Sequence, residues 1–199
     1  MAAQLHVAFT EFKKFCKDSG FKSSQQCFKP ATTSCTTQTD WPLLKAKGHN
    51  CAIVSLFLMA TAENATDAKC QDYHSRALVT CLWGFASTWC ICKGAGPWLR
   101  RQECQRLERA RCAALQSYNV LSASCAAQGK YRYCVVPKLH KLDELLRKAI
   151  TTGRNPMNVW TMSDEDWIGR MVNLGQSCHA RSLTTRAIAR FLVHWFNEL

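Results

Sequence analysis

Several common signatures are missing from this 199-residue sequence. It has no C-x-x-C pair, no G-x-x-x-x-G-K-[ST] loop, no G-x-G-x-x-G and no G-x-S-x-G. Those absences remove the zinc-ribbon, phosphate-loop, dinucleotide and hydrolase patterns from the readings open to the chain. The longest apolar run, Cys51–Ala62, falls short of the roughly 20 residues that cross a bilayer. The opening "MAAQLHVAFTEFKKF" carries its charges after its apolar residues and has no sustained apolar core, so no secretory signal is read there. With 13 cysteines and no such signal, the thiols are expected to be free in a reducing compartment, nucleus or cytoplasm.

What is present is a globular composition: 47% hydrophobic and 20% charged, with nine Phe and seven Trp. The formal net charge is +12, and it is spread along the whole chain. Residues 1–92 carry nine cations against six anions, residues 93–129 six against two, and residues 130–199 eleven against six. A basic body without a basic tail favours an acidic partner, with DNA or RNA foremost.

The pattern of apolar residues predicts helices almost throughout. Residues 4–16 place Leu5, Val7, Ala8, Phe12 and Phe15 near one side. Lys17–Pro42, rich in Ser, Thr and Gln, reads as an irregular connection. Cys51–Ala62, apolar all round, suits a core helix. From Asp67 to about Trp89, residues Leu78, Leu82, Phe85 and Trp89 recur at helical spacing. "KGAGP" then interrupts the chain, and Pro97 is placed as the first residue of the next helix. That helix runs without Gly or Pro to Gln128, with Gly129 as its cap and a seam of Cys104, Leu107, Arg111, Ala114, Tyr118, Leu121 and Cys125. Tyr131–Val136 reads as extended up to Pro137. Lys138–Ile150 forms another helix, burying Leu139, Leu142, Leu145, Leu146 and Ala149, and "TTGRNP" ends it. The expected fold is mainly α: an irregular helical bundle around one long central helix, closed by a C-terminal pair of short helices. A loosely ordered segment over residues 1–41 is expected to precede a single helical domain over 42–199.

"MNVWTMSDEDWIGRM" contains three adjacent acids, Asp164, Glu165 and Asp166. Consecutive residues on a helix point in different directions and chelate one ion poorly, whereas Ser163 followed by acids is a helix start facing the positive end of the helix dipole. Met162 and Trp167 complete a hydrophobic staple, and the helix is expected to end at Gly175. No catalytic residue, metal or cofactor is assigned. If a zinc site existed, Cys90, Cys92 and Cys104 would be its members. His140, three and four residues before Asp143 and Glu144, reads as a surface helical pair.

The candidate binding residues are cationic. In "RSLTTRAIARFLVHWFNEL", Arg186, Arg190 and His194 recur every four residues opposite a broad apolar face, with His179 and Arg181 just before. Together with the preceding helix this could form a helix-turn-helix, although the loop of about seven residues exceeds the usual three or four. A second basic surface runs along the long helix through Arg100, Arg101, Arg106 and Arg109, partly neutralised by Glu103 and Glu108. Lys138 joins the set, and Tyr131, Arg132 and Tyr133 are candidates for stacking single-stranded bases.

The phrases "KYRYCVVPKLHKLDELL" and "NPMNVWTMSDEDWIGRMVNL…HARSLTTRAIARFLVHW" resemble a group of uncharacterised, mobile-element-associated reading frames of large protist genomes. In that group a P-K-x-H helix precedes an aromatic–x–DED–aromatic phrase. The resemblance covers about Lys130–Trp195, a third of the chain, and implies a mobile-element origin while transferring no catalytic residue. The preferred expectation is a non-enzymatic nucleic-acid-binding or nucleic-acid-associated protein. The alternatives are a helical protein–protein interaction module or functionless element remnant, and a metal-dependent nuclease or transferase.

Overall fold

A computed structural model describes residues 2–33, 44, 46, 48–65, 72–130, 132–159 and 189. The acidic triplet, the C-terminal helix pair and the candidates Arg181, Arg186, Arg190 and His194 lie outside the described residues. The chain divides into two units, Met1–Asn158 and Val159–Leu199. The helices of the first unit are α1 (Ala2–Asp18), α2 (Pro30–Thr33), α3 (Gly48–Ala65), α4 (Tyr73–Gly94), α5 (Arg101–Ala127) and α6 (Pro137–Thr152), and a 3₁₀ turn at Pro156–Val159 comes after them. Among the described residues there is no strand, only one isolated antiparallel bridge between Trp98 and Arg154. The mainly α architecture and the long central helix therefore stand as expected.

α5 has 27 residues, about 40 Å at 1.5 Å per residue. Its seam is the one its periodicity announces: Leu107, Arg111, Ala114, Leu121 and Cys125 are buried, with Ala110 beside them, and Cys104 packs against the same core. Its end is a Schellman cap. Gly129 sits at φ +67°; its amide donates to Ala126 O at 2.9 Å, and the Lys130 amide donates to Cys125 O at 2.9 Å. Glycine adopts that left-handed conformation without the steric penalty of a Cβ.

The start of α5 differs from the expectation. The helix begins at Arg101 and not at Pro97, because residues 97–99 are held in an extended pairing instead. The Leu99 amide donates to Gly153 O at 2.6 Å, and Asn155 N donates to Pro97 O at 3.0 Å. Glu103 then accepts from the Arg100 amide at 2.6 Å, which satisfies one of the free donors at the helix start.

α4 lies against α5 more closely than a seam of large residues would allow. A Cβ built on Gly84 would fall 2.4 Å from Ala114 N and 2.7 Å from Ala110 O. Cys81, Gly84, Thr88 and Cys92 line the buried side of α4, with Trp89, Ile91 and Ala86, while Leu78, Leu82 and Phe85 are only half-buried. The Cys81 thiol donates to Ala114 O at 3.5 Å. α4 starts at Asp72, whose carboxylate accepts from Ser75 N at 2.9 Å and from the Ser75 hydroxyl at 2.7 Å.

α6 packs antiparallel to α5. Arg111 pairs with Asp143 near the middle of both helices, and Leu99 meets Gly153 at one end. Leu146 and Ala149 are buried with Leu107, Ala110, Ile91, Cys92 and Leu99. Pro137 opens α6 after an extended Val136, and Gly153 ends it at φ +69°. A second core lies between α1 and α3, where Phe12, fully buried, contacts Phe28 and Phe57. Residues 21–29 are irregular, yet Phe28 and Gln25 within them are buried. α3 reaches α4 through His49 and Trp89, whose rings lie 6.3 Å apart.

Candidate nucleic-acid interface

The candidate site is built where the loop before α5 meets the loop after α6. Asn155, 3% exposed, is its anchor. Its amide nitrogen donates to Cys92 O at 2.7 Å, Ala95 O at 3.2 Å and Gly96 O at 2.9 Å. Its side-chain oxygen accepts from Met157 N at 3.0 Å. Asn158 adds a bond from its amide nitrogen to Pro97 O at 2.9 Å. One buried side chain thus binds a carbonyl of the last turn of α4 and two just beyond the helix, and fixes the path of "GAGPW".

Beyond that anchor the chain is extended, and neighbouring side chains point to opposite sides. Leu99 is buried at 7% exposure, while Trp98 is 62% exposed and Arg100 is exposed. The Arg154 guanidinium lies 5.5 Å from the centre of the Trp98 ring, within range of a cation–π contact. Arg101 opens α5 beside them. Arg101, Arg106 and Arg109 are all exposed and fall within about 140° of one another at 100° per residue, over about 12 Å of helix.

The two glutamates on α5 are engaged elsewhere. Glu103 caps the Arg100 amide. Glu108 binds Arg111 through both oxygens, each at 2.7 Å, and that guanidinium, together with burial and the thiol of Cys112, sets its electrostatics. Hydrogen bonds from Arg111 hold the Glu108 carboxyl below the ordinary carboxylate range. Arg111 itself is held above its usual value, first by its bonds to Glu108 and then by Asp143. No acidic side chain pairs with Arg100, Arg101, Arg106 or Arg109 among the described residues.

Of the candidates read from the sequence, Arg100 and Arg101 are brought together here. Lys138 is exposed but belongs to the far end of α6, about 21 Å along the helix from Thr152. Tyr133 is not a free stacking surface: its ring meets Tyr118 at 6.0 Å and His74 at 6.0 Å, both edge-on, and burial pushes its phenol up. Tyr131 lies outside the described residues, and Arg132 is exposed. His140 pairs with Glu144 at 3.2 Å on an open surface, a weak contact between solvated groups.

Trp98 and Arg154 were not singled out by sequence reasoning. The available signal was a tryptophan directly after a Gly/Pro turn and shortly before an Arg-Arg pair; Arg154, 56 residues away, gave none. The cysteines among the described residues do not converge on one point. Cys90 is exposed while Cys92 is buried, and no group of three His, Cys, Asp or Glu poised for a metal ion occurs among the described residues. All ten described cysteines are free thiols. No helix among the described residues is long and apolar enough to cross a membrane. Comparison of the chain with protein-family models, curated proteins and solved structures gives no match.

Proposed function

We propose that this protein is a non-enzymatic nucleic-acid-binding module that works inside the cell, in the nucleus or the cytoplasm. The observation that carries the reading is the arginine face of α5: Arg101, Arg106 and Arg109 exposed together, with Glu108 and Glu103 turned to other partners. Exposed guanidinium groups that no described carboxylate pairs with suit phosphate oxygens, which they bind in bidentate fashion. The overall charge of +12 adds long-range attraction for a polyanion. Arg181, Arg186, Arg190 and His194 form a second candidate set in the C-terminal unit. A mobile-element origin, implied by the resemblance over Lys130–Trp195, fits a protein that handles nucleic acid and belongs to the same proposal.

The test is fluorescence anisotropy of the reduced protein with labelled single- and double-stranded DNA and RNA across a salt series. Binding that weakens linearly on a log–log salt plot is expected, since each neutralised phosphate releases counterions. Absence of binding to all four at low salt would overturn the proposal.

A further inference from the structure

We propose that the Trp98–Arg154 corner is a base-stacking site that makes the protein prefer single-stranded nucleic acid over duplex. The inference rests on the nucleic-acid reading above and adds the class of strand and the residue that selects it.

A lone exposed apolar residue needs no explanation; three features set Trp98 apart. Its structural duties are discharged by other atoms. Its backbone forms the bridge to Arg154, and Leu99, not Trp98, fills the core beside it. Among the described residues the indole's one ring contact is the Arg154 guanidinium, so most of its surface stays in water at 62% exposure.

The loop that presents it is fixed in place. Leu99 N to Gly153 O at 2.6 Å and Asn155 N to Pro97 O at 3.0 Å bracket Trp98, and Asn155 ties the preceding carbonyls. A rigid aromatic loses little conformational freedom when it is covered, which favours binding.

The surroundings select the occupant. Arg100 and Arg101 follow within three residues and Arg154 lies on the ring, against the one nearby carboxylate, Glu103. A flat apolar side chain with one guanidinium beside its ring, and two more exposed arginines following it in the chain, complements a flat base joined to phosphates. Bases stack on such surfaces without regard to sequence, because every base has a π-face. In a duplex the bases are already stacked on one another, and a protruding indole finds only edges and backbone. Single-stranded DNA or RNA therefore fits the corner, while duplex engages only the arginines.

The experiment compares wild type, Trp98→Ala, Trp98→Phe and Arg154→Gln for binding to labelled oligothymidylate and to a duplex of equal length. Circular dichroism is recorded on each variant. Trp98→Ala is expected to weaken oligothymidylate binding roughly tenfold and to leave duplex binding unchanged, with Trp98→Phe retaining most of the affinity. Salt-dependent binding that is indifferent to Trp98→Ala, or an equal loss on single strand and duplex, would overturn the stacking site and leave the general nucleic-acid reading standing. Absence of binding by wild type to both probes would overturn the stacking site, and the reading it rests on falls only if single- and double-stranded RNA also fail to bind.

Discussion

Two glycines show how differently one residue type is used here. Gly84 has ordinary helical backbone, but its missing Cβ lets α4 approach the backbone of Ala110 and Ala114. Gly129 has open space around it, and only its positive φ calls for glycine. Gly84→Ala is expected to lower stability by about 1–3 kcal/mol through overpacking. Since the clashing atoms are backbone, adding Ala114→Gly should not restore it. Gly129→Ala is expected to cost about 1–2 kcal/mol through left-handed strain alone. Urea unfolding of the three variants checks both statements. The cysteines extend the contrast. Burial pushes the thiols of Cys81 and Cys92 up to about 12 from the ordinary 9.0. Above pH 9 the unfolded thiols ionise while the folded ones keep their protons, so the unfolded state gains and stability falls as pH rises. Wild type should therefore lose more stability between pH 9 and 11 than Cys81→Ala/Cys92→Ala, measured by denaturant midpoints.

Between elements, the junction of α5 and α6 rests on one buried cation. Arg111, 8% exposed, joins Glu108 on its own helix to Asp143 on α6, and Arg147 bonds Asp143 at 3.0 Å from the next turn. Removing Arg111 leaves Glu108 without its partner and Asp143 with Arg147 alone. Arg111→Ala is expected to cost about 1–3 kcal/mol through its lost charged hydrogen bonds, while Arg111→Met should cost less because it fills the space. The Glu108 carboxyl is depressed mainly by its hydrogen bonds from Arg111. Its contribution is thus present above the unfolded carboxyl's pKa and fades as pH falls through the lowered folded value. Thermal unfolding between pH 6 and 3 should show this acid-side loss in wild type and a shallower one in Glu108→Gln. These elements were unequally legible. The α5 seam and the Gly129 cap follow directly from spacing, and even the charged interruption at Arg111 was visible in it, though not its partner. The α4 contact was harder, since apolar periodicity points to Leu78, Leu82 and Phe85, whereas a close backbone approach is made by the small residues Cys81, Gly84 and Thr88. Pro97 misled because helix-start preferences are local, and the pairing with residues 153–155 is not.

For the whole molecule, the basic surface along α5 through Arg100, Arg101, Arg106 and Arg109 was legible from helical spacing and these residues are exposed, whereas the engagement of its two glutamates was not. Glu103 stays beside Arg100, bound to its backbone amide, and Glu108 turns to Arg111; both arrangements depend on a cap and an ion pair that spacing does not show. The Trp98–Arg154 corner depends on two loops that meet only after α6 has folded back along α5. Asn155 holds that corner, so Asn155→Ala, which frees three carbonyls, should raise amide exchange across residues 95–100 and cost about 1–3 kcal/mol.

The most direct test of phosphate binding on α5 is the salt dependence of nucleic-acid affinity in Arg101→Ala/Arg106→Ala/Arg109→Ala, compared with wild type and with Arg186→Ala/Arg190→Ala. Alanine is a strong helix former, so the triple variant should stay folded. If α5 meets the backbone, its log–log slope should shrink by about 0.7 per lost phosphate contact on a single strand. A triple variant whose slope and affinity equal those of wild type would contradict the assignment of phosphate contacts to this face.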